Sequence, residues 1–147
     1  MVTDMTQPDI DAVLTDSGSG VLSLADGTET YAVPESFGYD GDALYFQLVH
    51  HETSRKMEFI RTTDVATFTV YTDDPAESVL VRGHLERVPD AERPEASAAM
   101  AANAEIPTLN VYPDRAAADL SMTFYRLVPE EATGRRLTQS GVESVDT

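Results

Sequence analysis

The feature that most constrains this chain is a single dipeptide, Asp40-Gly41, set between two apolar runs. Asp-Gly in that position is a strong hairpin signal, because a two-residue turn needs positive φ and these residues tolerate it. Upstream, Tyr31, Val33, Phe37 and Tyr39 fall on one face of a pleat. Downstream, Ala43 to Val49 is a nearly continuous apolar and aromatic run. The second strand ends in the polar stretch HHETS, and a helix opens at Ser54-Arg55-Lys56. The hydroxyl of Thr53 or Ser54 can cap that helix. Free N–H groups at a helix start, a hydroxyl beside them and two adjacent cations make a phosphate site. An ordinary solvated first turn would use the same residues. What favours the phosphate reading is scarcity: nine of the ten cations are arginines, and Lys56 is the only lysine.

Charge sharpens this. The formal net charge is -16 over 147 residues, and the acids are dispersed along the chain. Dispersed acid with one lysine is the pattern of a salt-adapted surface, so a haloarchaeal source is expected. In molar salt the Debye length is about 3 Å, which screens exposed carboxylates from one another. Such a field disfavours non-specific binding to nucleic acid and to anionic membranes. It also repels an anionic ligand unless a local cationic pocket overrides it, which is why Arg55-Lys56 carries weight.

The length suits one domain, residues 1–147, large enough to bury roughly two thirds of the surface of its unfolded chain. There is no cysteine, hence no disulfide, thiol chemistry or cysteine-ligated metal. No apolar run is long enough to span a bilayer. The chain opens MVTDMTQPD without a basic, apolar leader, and a cytoplasmic location is expected.

In chain order, Thr6 reads as an N-cap, with Pro8 just inside and Asp9 three residues on; Ile10, Val13 and Leu14 then share a helical face. This predicts a first helix over 7–14. A loop at 16–20 leads to a strand over 20–25, closed by Asp26-Gly27. The hairpin strands and the helix to about Arg61 follow. A fourth strand is expected over 64–71 and a fifth over 78–88, with Gly83 marking a bulge or a close backbone approach. Residues 90–105 are alanine-rich with acids near the start, which predicts a helix. An irregular connection over 106–119 leads to a sixth strand over 120–129. The tail from Glu130 is polar, and its last residues, from about 138, are expected to be loose. The fold class predicted is mainly β with flanking helices: a six-stranded antiparallel split β-barrel.

Pro34 inside a strand marks an edge or strand end, or an edge that leaves room for a flat ligand. His50 and His51 point to opposite faces as strand neighbours, and no carboxylate–histidine spacing supports a metal site. No nucleophile–base arrangement is visible, so no catalytic residue is nominated.

Several motifs, in order, resemble the FMN-binding split barrels related to pyridoxamine 5'-phosphate oxidase. YAVPESFGYDGDALYF is similar to their second and third strands, SRKMEFIR to their S-R-K helix start, ESVLVRGHLERV to their fifth strand, and FYRLVPEEATGRRL to their closing strand and T-G-[KR] tail. The likeness runs from about Val21 to Leu137. It implies an FMN cofactor, with Arg55 and Lys56 holding the phosphate and Ser54 adding a bond. Tyr45 and Phe46 would flank the ribityl chain and phosphate. Val33, Pro34, Glu35 and Ser36 would run along the isoalloxazine, largely through backbone groups. Ser78 stands where the oxidase proper has a flavin-contacting glutamine. The resemblance further implies a homodimer with flavin at the subunit interface, and oxidoreduction of a small molecule. Ala32 and Phe37 replace the arginine and lysine of the oxidase proper, and Gln47 replaces the histidine of nitroimidazole-resistance proteins, so neither activity is implied. The same fold also serves flavin carriers and relatives that bind deazaflavin or haem.

Overall fold

The computed structural model describes residues 1–50, 55–103 and 121–138. Eight strands form one antiparallel sheet: β1 (Val2–Asp4), β2 (Ser19–Asp26), β3 (Glu29–Ser36), β4 (Gly38–Tyr39), β5 (Leu44–His50), β6 (Ala66–Asp73), β7 (Ala76–Arg87) and β8 (Ser121–Leu137). Their order is β3-β2-β6-β7-β8-β5-β4, with β1 added along β8. The expectation of a six-stranded barrel is therefore corrected twice: there are eight strands, and the sheet is not closed.

The first correction comes from Phe37. The stretch predicted as one strand over 31–39 breaks there. Residues before the break pair with β2, from Asp26↔Glu29 to Ser19↔Ser36, while Gly38 and Tyr39 pair with β5. Phe37 donates its N–H to the Gly18 carbonyl at 3.1 Å and buries its ring edge-on against Phe68, with centroids 4.9 Å apart. The Asp-Gly hairpin exists, but it joins only the two-residue β4 to β5. Gly41 takes φ +97°, and the Asp40 carboxylate accepts from the N–H groups of Asp42 and Ala43, both at 2.8 Å.

A further correction concerns the end of the chain. β8 does not stop at Pro129 but runs 17 residues to Leu137. Its later half pairs with β7 on one side and with β1 on the other, from Val2↔Leu137 to Asp4↔Arg135. The inward positions there are Ala132 and Gly134, too small to print an apolar alternation in the sequence. Met5 secures the edge by donating its N–H to the Gly134 carbonyl at 2.8 Å.

Other elements follow local chemistry. Helix α1 (Gln7–Asp16) carries a reciprocal capping box: Asp9 N–H donates to the Thr6 hydroxyl at 3.3 Å and Thr6 N–H to the Asp9 carboxylate at 3.2 Å. It buries Ile10, Val13 and Leu14, as their spacing predicts, and runs two residues past the expected end. β7 shifts register at Arg82/Gly83, where a Cβ on Gly83 would lie 2.0 Å from the Val128 carbonyl oxygen. Both readings of Gly83, bulge and close approach, hold. The alanine-rich segment opens with a 3-10 turn at Asp90–Glu92 and becomes helix α3 (Arg93–Asn103). Helix α2 spans Arg55–Thr62. The expected caps Thr53 and Ser54, the connection over 106–119 and the tail beyond 138 lie outside the described residues.

Two apolar clusters stabilise the sheet. The larger contains Leu22, Phe37, Phe46, Leu48, Phe68 and Val81, all fully buried. The smaller lies under α3, where Ala96, Ala99 and Met100 meet Ala43, Tyr45 and Val88. No helix among the described residues is long and apolar enough to cross a membrane.

Candidate functional site

Helix α2 buries Lys56, Met57, Phe59 and Ile60, one stripe at helical spacing. Phe59 stacks on Tyr31 of β3 with centroids 5.3 Å apart. Beyond the helix end, Ala25 N–H donates to the Thr63 hydroxyl at 2.9 Å, tying α2 to β2. This docking fixes which way the first turn faces. Lys56 turns inward, 3% exposed, and donates to the Glu35 carboxylate at 3.0 Å, with the Glu35 side chain 8% exposed. Arg55, one residue earlier, turns outward. Its side chain is 66% exposed, its nearest acid is Glu29 at 3.8 Å, and its guanidinium lies 5.6 Å from the Phe59 ring centroid. The two adjacent cations therefore do not share one cradle in this chain: one is buried against β3 and the other lies on the surface.

The remaining sequence-nominated residues separate in the same way. On β3, Val33 enters the main core, while Pro34 is exposed. β3 is the terminal strand of the order, so Pro34 sits where a missing N–H donor is tolerated. Ser36 is buried, and its Oγ is the buried side-chain polar atom with no hydrogen-bond partner among the described residues. Tyr45 and Phe46 are strand neighbours and face opposite sides. Phe46 packs edge-on against Phe68 in the main core, 5.0 Å between centroids. Tyr45 lies under α3; burial pushes its phenol up, Arg126 opposes this and Asp40 adds to it. Ser78 is exposed on β7, three strands from β3, or about 14 Å at ordinary strand spacing. It borders a cleft of about 520 Å³ with Asp4, Met5, Ile10, Leu80 and Arg135. Ser54 lies outside the described residues.

The Glu35 carboxylate was not anticipated as the partner of Lys56. A signal existed. Tyr31, Val33 and Glu35 are alternate residues of one strand, and Glu is depleted in strands and rarely buried unless paired. An acid in line with two inward apolar residues asks for a buried cation.

Among the described residues, no group of three or more His, Cys, Asp or Glu is placed to hold a metal. A phosphorylated flavin is the group the resemblance implies, and the residues present fit it. A buried ammonium, an orphaned buried hydroxyl and an edge strand with an exposed proline stand on β3 and the head of α2.

Residues 6–136 match the family of pyridoxamine 5'-phosphate oxidase, and the chain belongs to that family. No curated protein matches it. Among solved structures, it is similar to an FAD-binding protein from Mesorhizobium loti at 23% identity, covering 94% of this chain and 98% of that one, with a TM-score of 0.72. The FAD-binding protein from Mycobacterium smegmatis is 20% identical over 92% of this chain and 98% of its own, at a TM-score of 0.69. A haem-binding protein from the same organism is 15% identical over 87% of this chain and 53% of its own, at 0.64. The fold is thus shared with FAD-binding and haem-binding proteins.

Proposed function

We propose that this chain binds a flavin, FMN in particular, and works as a homodimeric oxidoreductase on a small molecule. The observation that carries the reading is Lys56, the chain's single lysine, buried in the first turn of α2 against the end of a proline-bearing edge strand. A strongly acidic protein has little reason to bury its only lysine there unless the charge is used. The FAD-binding relatives support the flavin reading. When bound, the ring supplies the hydride or electron chemistry. The chain's own part is to hold the phosphate end through Lys56, offer the Ser36 hydroxyl as a hydrogen-bonding group, and give the ring an edge to lie along at Pro34.

A second copy is supported by what one copy lacks. Ser78 lies three strands from β3, against which Lys56 packs, and we assign it to the site of a second copy rather than to that of its own chain. Around Ser78 stand exposed Tyr71 at 66%, Val2 at 60% and Leu80 at 41%, an apolar surface suited to contact with a like surface. The dispersed acid supports a salt-adapted cytoplasmic protein.

The test is to purify the protein, denature it, and identify what is released by absorbance and mass. FMN with a flavin spectrum supports the reading. A Soret band would instead favour the haem-binding use of the fold seen in the mycobacterial relative. Bleaching by NAD(P)H followed by passage of electrons to an acceptor would distinguish an oxidoreductase from a flavin carrier.

A further inference from the structure

The Lys56–Glu35 pair is expensive and badly placed for stability alone. Both side chains are more than nine-tenths buried, and each had to leave water. A cation in the first turn of a helix also meets the positive end of the helix dipole. An apolar pair of the same volume would hold β3 to α2 as well or better, since Tyr31 already stacks on Phe59 beside it. Glu35 solves one problem: it supplies the anion that a buried Lys56 at a helix head requires.

We infer that the Glu35 carboxylate is a built-in substitute for a ligand phosphate, which a phosphate-bearing ligand displaces from Lys56, so that Glu35 sets the selectivity between phosphorylated and unphosphorylated ligands. This rests on the flavin reading above and goes beyond it. The carboxylate accepts at 3.0 Å from the ammonium, within the distance at which a phosphate oxygen would accept. Two anions cannot both hold that contact without repelling one another. The incoming phosphate therefore meets a site whose charge is already neutralised, and its advantage over a neutral ligand is reduced. Removing the carboxylate charge while keeping its shape exposes the full pull of Lys56.

The experiment uses the full chain, and the single lysine makes it clean. In uniformly 15N-labelled protein, Lys56 gives the only lysine ammonium resonance. Addition of FMN or inorganic phosphate to the wild-type protein is expected to shift that resonance, and riboflavin is expected to leave it in place. In Glu35→Gln, FMN is expected to bind roughly tenfold tighter or more, with riboflavin affinity unchanged. An unchanged FMN-to-riboflavin ratio, with the Lys56 resonance unmoved in FMN-bound wild type, overturns the inference while leaving flavin binding intact. Conversely, tighter inorganic phosphate binding in Glu35→Gln without flavin binding by either protein supports the inference and removes the flavin reading. Even if the variant fails to fold, a Lys56 resonance that stays in place in FMN-bound wild type overturns the inference.

Discussion

Two charged contacts in this molecule use the same chemistry in opposite surroundings. At the head of α2, Lys56 and Glu35 meet with side chains 3% and 8% exposed. Where β8 passes the 3-10 turn, Arg126 reaches Glu86 and Glu92, with the acids 49% and 38% exposed. The first contact excludes water, so losing one partner strands a charge in a low-dielectric interior. The second is open enough that water can take over for either acid. Electrostatics thus serves two purposes here. The open cluster pins the segment before α3 to the sheet. The enclosed pair poises a single ammonium.

Breaking the enclosed pair should give the largest effect. Lys56→Met is expected to lower stability by about 3–5 kcal/mol, read from urea unfolding, because the buried Glu35 carboxylate loses its cation. Adding Glu35→Leu to that variant should recover most of the loss. A single-variant cost below about 1 kcal/mol would mean that water reaches the pair.

Arg126→Ala comes next. About 1–2 kcal/mol is expected at low ionic strength for two part-exposed pairs, shrinking in molar salt as screening shortens to about 3 Å. The enclosed pair should show no such salt response, and this contrast is the sharpest check on the comparison.

A third contact lies further toward solvent. His84 sits between the Asp64 carbonyl, 2.8 Å from Nδ1, and the Glu130 carboxylate at Nε2. The backbone bond to Asp64 and then Glu130 raise its pKa above the ordinary 6.5. A raised folded-state pKa means that the contribution is present in full below about 6.5 and fades as pH rises through the folded value. The His84 ring resonance should therefore titrate above 6.5 in the wild type and lower in Glu130→Gln. An unshifted midpoint in the wild type would remove this contact from the comparison.

A fourth contact joins Arg136, 37% exposed, to a nearly buried Glu77 at 2.6 Å and to Asp9 at 3.6 Å. Arg136→Gln should lower the unfolding midpoint in dilute buffer, and molar salt should reduce the loss without abolishing it, because the Glu77 side chain is only 10% exposed.

Much of the fold was legible because its signals are local. The capping box at Thr6 and Asp9, the turn at Asp40-Gly41 and the demand at Gly83 each lie within a few residues, and the structure contains all three. The family likeness was carried by short motifs in order, for the same reason. What stayed hidden depends on partners distant in sequence. β8 continues past Pro129 because β7 and β1 flank it, and its small inward residues leave no periodic trace.

By itself, then, the sequence determined an antiparallel β fold with flanking helices, and that one lysine stands at a helix head. Only the tertiary structure decided where that lysine points. Docking of Phe59 on Tyr31 turns α2 so that Lys56 faces Glu35, 21 residues earlier, and Arg55 faces water. Adjacent residues on a helix are separated by about 100° of rotation, so no reading of the dipeptide could say which cation goes inside until the packed face was known.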